Sequence, residues 1–276
     1  MQEAIIELVT GIAKDLLFVS TITTIEIPML TKMNKVDYDN LLKKRISNTA
    51  KEDLNNVDEK IKPLLKRIEE TTNKNNIKYI NKNISNLKIN KDYFLLLKGW
   101  TGSYNVKDNK VNIVNDDALY HEIFHVLSGE YDKSEDTIYD GFLVSNKNGK
   151  VGIGLNEGYT EYKAATTFRN GKVKAYKKEV KLAKIVEEFF YNKKDMEEYY
   201  YRHNLPEFIY YMSQYADKEE VKSFIKDYDL MTNTNKLLSQ SPNYYYIKNL
   251  IRLNKWSESN NLSPNQKNSI KQLIKK

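Results

Sequence analysis

The sequence predicts an α+β fold that is predominantly helical. Three observations carry the prediction. Ile5, Leu8, Val9, Ile12, Leu16 and Val19 recur at helical spacing near the start. A central stretch from residue 77 breaks into short strand-like runs and a hairpin. Beyond about residue 172 the pattern is helical again. The chain is therefore divided into a helical N-terminal segment over 1–76, a mixed core over 77–171 and a helical C-terminal lobe over 172–276.

The first segment, MQEAIIELVTGIAKDLLFVSTITTIEIPML, invites comparison with a signal peptide or a membrane span. Glu3, Glu7, Lys14, Asp15 and Glu26 interrupt it, so it is read as a helix packed on the body, with no membrane span. Asp37 can cap YDNLLKKRIS, and VDEKIKPLLKRIEETT reads as a further helix despite Pro63. After the Asn-rich NKNN, the runs IKYI, ISNLKI and YFLLLKG read as strands. GWTGSYNVKDNKVNIV reads as a hairpin turning near Asp108-Asn109, with the run through Val111–Val114 as an exposed sheet edge.

Asp116-Asp117 is the expected N-cap of a helix ALYHEIFHVLS, with Gly129 just past its end. The roughly 25 residues from GEYDKSED to GKVGIG read as a loop, long enough to suggest a role. Asn156 opens the helix NEGYTEYKAATTF, which stops at Arg169-Asn170-Gly171. Breaks near Asn192, Asn204-Leu205-Pro206, Asn233 and Ser241-Pro242 punctuate the helical remainder.

Composition narrows the function. With 276 residues, 40% hydrophobic and 29% charged, the chain can bury a sizeable core. The 44 Lys and Arg against 37 Asp and Glu leave a net charge of +7. The lysines are dispersed, without an Arg-rich cluster, so a solvated basic surface is favoured and a nucleic-acid partner is not expected. Absence of cysteine excludes disulfides, thiolate ligands and thiol catalysis. A cytoplasmic location is the expectation, or a secreted one if a leader has been removed.

The chemistry concentrates at His121-Glu122-Ile123-Phe124-His125, which holds two of the chain's three histidines. Residues four apart on a helix sit one turn, about 6 Å, apart and can aim two imidazoles at one tetrahedral zinc. Glu122 falls on the neighbouring flank, where it can take a proton from the attacking water and pass it to a leaving amine. Leu119, Val126 and Leu127 would bury this helix, and burying His-Glu-His without a metal would be costly. A catalytic zinc needs a third protein ligand. Glu157 in LNEGYTEY is the candidate, with Glu161 one turn on as its partner able to orient a ligand histidine. The order of these two reverses if the helix enters from the other side.

These residues resemble the gluzincin, or thermolysin-like, metallopeptidases, over roughly residues 77 to 170. The resemblance implies a zincin-like two-lobe architecture, Zn2+ held by His121, His125 and Glu157, Glu122 as general base, and Glu161 supporting His121. It also implies that the hairpin lies where such enzymes pair an extended peptide substrate. The metzincin alternative requires Gly at 128 and His or Asp at 131, where this chain has Ser128 and Tyr131. The likeness further implies a His or Tyr that stabilises the developing oxyanion. His203 is the catalytic candidate for that role, with Tyr159, Tyr162 and Tyr139 as alternatives.

The function so predicted is a zinc metalloendopeptidase acting on a peptide or protein substrate, with oligomeric state open. The rival is a protease-like zinc-binding regulatory protein that binds a partner. Glu122 favours the enzyme, because a purely structural site has no need of a base.

Overall fold

A computed structural model describes residue 57 and residues 59–74, 76, 82–84, 86–233 and 241–276. The N-terminal helical face, the Asp37 cap and the IKYI strand lie outside the described residues. Within them the protein is α+β and mostly helical, with one mixed and one antiparallel sheet.

Helix α1 is Lys62–Thr71, with Pro63 in its first turn. Proline is tolerated there because an N–H in the first turn has no partner within the helix. The first sheet comprises β1 (Lys88–Lys91), β2 (Gly102–Asn105) and β3 (Lys110–Ile113) in the order β1-β3-β2. β3 pairs in parallel with β1 and antiparallel with β2, register Ile89↔Val111 and Tyr104↔Val111. The strand expected as the exposed edge, through Val111–Val114, is therefore central. β2, across the hairpin, is the edge. Val111 and Ile113 are fully buried, which explains why the more apolar strand sits inside.

YFLLLKG is not a strand. It forms a 3-10 helix, Tyr93–Lys98, because Asp92 accepts from the Phe94 N–H at 3.0 Å and Gly99 leaves in the left-handed region at φ 71°. A short apolar run has no period that separates strand from helix, so the flanking cap and glycine decide.

Helix α2 (Asp116–Ser128) is capped by Asn115, one residue before the predicted cap, with Asp116 and Asp117 in the first turn. The expected loop that follows is a four-stranded antiparallel meander of β4 (Gly129–Asp132), β5 (Thr137–Asp140), β6 (Leu143–Asn146) and β7 (Gly149–Val151). Its strands are only three or four residues long, too short to show a clear alternation.

Helix α3 (Ile153–Phe168) starts three residues before Asn156. Gly152 enters it at φ 84°, and buried Asp229 accepts from the Gly152 and Gly154 N–H groups at 2.8 and 2.9 Å. α3 lies at the centre of the molecule, packed on α2, on α4 (Lys177–Glu187) and on α7 (Lys218–Asn233). Gly154 and Gly158 permit this. A Cβ at 154 would lie 2.5 Å from the Tyr228 carbonyl oxygen, and one at 158 would lie 2.6 Å from that of Glu179.

The remaining helices are α5 (Lys194–Tyr201), α6 (Leu205–Met212), α8 (Ser241–Ser259) and α9 (Pro264–Lys275). Asn204 caps α6 with Pro206 in the first turn, and Ser263 and Gln266 form a reciprocal capping box on α9. One buried apolar cluster runs from Val57 through Phe124 and Leu155 to Trp256 and Ile270. No helix among the described residues is long and apolar enough to cross a membrane.

Asp229→Ala leaves two buried N–H groups at the start of α3 without their acceptor. It should lower unfolding stability by about 2–3 kcal/mol, measured by urea denaturation.

Candidate metal centre

Helix α2 carries His121 and His125 one turn apart, and α3 crosses it carrying Glu157 and Glu161. The imidazoles are gripped from behind. His121 Nδ1–H donates to Glu161 Oε2 at 3.1 Å, and His125 Nδ1–H donates to Asp140 Oδ2 at 2.8 Å. With each Nδ1 engaged by a carboxylate, both Nε2 atoms are turned into one shared space, where each could act as a ligand on losing its proton. They point at each other across 3.0 Å, and Glu157 Oε2 lies 3.2 Å from His121 Nε2 and 3.6 Å from His125 Nε2.

A carboxylate and two Nε2 atoms that converge in this way need positive charge between them, which protons on the imidazoles or a metal ion can supply. Tetrahedral zinc with arms of about 2.0–2.1 Å would separate its ligand atoms by about 3.3–3.4 Å. The three observed separations bracket that length. His121, His125 and Glu157 form the one group of at least three such side chains, among the described residues, able to hold a metal ion.

Protonation follows the same electrostatics. Burial disfavours charge on His121, yet hydrogen bonds to Glu157 and Glu161 outweigh it and push its pKa up to about 9. Burial would raise Glu157, but the two histidines hold it well below the usual carboxylate range. Glu161 is driven down to about 2: burial opposes this, and the bonds from His121, Arg169 and the Lys174 N–H prevail. The Arg169 guanidinium is bidentate on Glu161, with both contacts at 2.9 Å. Burial raises Glu122, against the pull of the two imidazoles.

Glu122 lies on the same helix, buried beneath β2. A Cβ on Gly102 would come within 2.5 Å of Glu122 Oε1, so a side chain there would displace the Glu122 carboxylate.

Three residues of the site escaped the sequence reading. Asp140, on β5, holds His125 and also accepts from Ser128 Oγ at 2.9 Å. Its signal was the turn dipeptide Asp140-Gly141, which closes the β5–β6 hairpin with Gly141 at φ 54°. Arg169, read only as a helix stop, braces Glu161. Tyr176 stacks on His121 with ring centroids 5.7 Å apart and has a backbone φ of 50°. Nothing distinguished it among 21 tyrosines.

His203 is not brought into this group. It is buried in the turn between α5 and α6 with Nε2 3.6 Å from Glu130 Oε2 on β4. Of the alternatives, Tyr159 packs on Phe142 and Tyr200, Tyr162 donates to Glu187 at 3.0 Å, and Tyr139 is buried on β5. No family model, no curated protein and no solved structure matches this chain. The site is therefore read from its own residues.

Protein purified without chelator should carry about one zinc per chain by elemental analysis, and His121→Ala or His125→Ala should lose it. Glu157→Ala should lose affinity severely. Asp140→Asn and Glu161→Ala should weaken it about 10–100-fold in chelator competition, as removal of a ligand's supporting partner does. Severe loss with Glu161→Ala and none with Glu157→Ala would reverse the two assignments.

Proposed function

We propose that this protein is a zinc-dependent metallopeptidase of zincin-like architecture. One observation carries the reading: a buried carboxylate, Glu122, stands beside the His121–His125–Glu157 group and directly under the edge of β2. A ligand set, a base and a strand edge thus share one spot. A metal kept only for structure requires neither of the other two.

Zinc bound by His121, His125 and Glu157 supplies a Lewis acid that polarises the scissile carbonyl and acidifies water. The chain's own residues supply the rest. Glu122 takes the proton of the attacking water and delivers it to the departing amine. Its raised affinity for protons, set first by burial, suits that exchange. An extended peptide pairs with the open side of β2, which brings its backbone over Glu122. Tyr176, stacked on His121, offers a hydroxyl to the negative charge that develops on the carbonyl oxygen. A tyrosine held at positive φ is uncommon, and such strain persists where the surrounding structure demands that conformation.

Glu122→Gln should retain fold and zinc and lose nearly all cleavage of a diverse peptide library, because an amide cannot accept the proton. Cleavage at the unmodified rate would leave a regulatory or structural zinc protein as the better account. Tyr176→Phe should retain zinc and lower kcat by about 10²–10³-fold with KM little changed, the pattern of a contact made only in the transition state.

A further inference from the structure

Of the nine large hydrophobic side chains exposed among the described residues, five fall between residues 93 and 100: Tyr93, Phe94, Leu96, Leu97 and Trp100. Four of them stand on the 3-10 helix Tyr93–Lys98, whose only exposed charged side chain is Lys98. Leu95 alone turns inward and anchors the turn at 5% exposure, while Phe94 and Leu97 project at 76% and 84%. The turn is rigidly mounted at one end of the first sheet. Asp92 N–H donates to the Ile113 carbonyl, Val114 N–H to that of Thr101, and Trp100 N–H to that of Leu95.

We infer that this turn is a membrane-docking wedge that inserts into the interfacial region of an anionic lipid bilayer. The shape and the charge both favour lipid over a protein partner. The side chains form a protruding knob and not a groove, and a fluid acyl boundary accepts such a knob without a complementary pocket. The knob mixes Trp, Tyr and Phe, which prefer the headgroup level, with two leucines that reach below it. Exposed Lys91 and Lys98 flank it along the chain, Lys91 paired with exposed Asp116 at 2.6 Å and Lys98 with its Nζ 5.5 Å over the Trp100 ring. Lysines placed so can extend their ammonium groups to anionic headgroups while the stems lie along apolar surface. The net charge of +7 acts in the same direction. Trp100 is two residues from Gly102, which lies against Glu122, so docking holds the candidate site close to the lipid surface.

The chain's two tryptophans make the test direct: Trp256 is 2% exposed and Trp100 is 54% exposed, so a change of environment at the turn is reported by Trp100. Full-length protein is mixed with phosphatidylcholine vesicles, and with the same vesicles containing phosphatidylserine, and read by co-sedimentation and tryptophan emission. The expected result is a blue shift and pelleting, stronger with phosphatidylserine and weakened by salt. Phe94→Ser with Leu97→Ser should lower partitioning on the order of 100-fold, since two large side chains no longer leave water. These positions are exposed, and an unchanged thermal unfolding midpoint verifies the fold. Unchanged Trp100 emission with protein left in the supernatant for both vesicles overturns the inference. Turn-dependent self-association in sedimentation velocity without vesicle binding overturns it too, because the occupant is then a second copy. Neither readout depends on peptidase activity.

Discussion

The two imidazoles of α2 face each other at 3.0 Å because buried carboxylates hold their far nitrogens, and the rest of the site is arranged around that constraint. Each carboxylate comes from a different element. Glu161 belongs to α3, and Asp140 belongs to β5. The central helix and the meander thus meet at the histidines, and the geometry of the Nε2 pair depends on both. A histidine free to rotate about χ1 and χ2 could turn its Nε2 away. Here the Nδ1 bonds prevent it, so both Nε2 atoms stay turned into the same space.

Positive charge offsets the carboxyl groups of this pocket. Glu122, Asp140, Glu157 and Glu161 bring four carboxyl groups, and Arg169 is the guanidinium bonded to Glu161. Concentrating carboxylates in a buried space is unfavourable unless positive charge joins them. The two imidazoles supply it when protonated, and a divalent ion at His121, His125 and Glu157 would supply it in their place. The segment after α3 contributes in the same direction: Arg169, Lys174 N–H and Ala175 N–H all bond Glu161, and Tyr176 closes over His121. One short stretch of chain therefore braces the second carboxylate and covers the first imidazole.

The site also depends on close approach of backbones. Gly102 lets the β2 edge pass over Glu122, and Gly154 and Gly158 let α3 sink against α7 and α4. A methyl group at any of these would meet atoms 2.5–2.6 Å away, shorter than real contacts allow. The cap on α3 supplied by Asp229 fixes where that helix starts, and hence how Glu157 and Glu161 are phased towards α2.

The sequence by itself determined the helices and the motif they carry. His121, Glu122 and His125 lie within one turn or so of a single helix, and Glu157 and Glu161 lie one turn apart on another. Helical spacing is a local property, so these relations were legible before any tertiary contact was known. The same holds for Asn204 and Pro206 at α6 and for Gly171 at the end of α3, where local backbone preferences act alone. Tertiary structure decided the rest. The form of Tyr93–Lys98 is the exception, a local outcome of the Asp92 cap and Gly99 that its apolar run does not reveal. Which strand of the hairpin is the edge turned on β1 pairing with β3, a contact between segments about twenty residues apart. Asp140 and Tyr176 became part of the site, and His203 was directed to Glu130, through packing of elements distant in the chain. No periodicity encodes such meetings, because the free energy that selects them comes from burial and pairing of surfaces that meet only after folding.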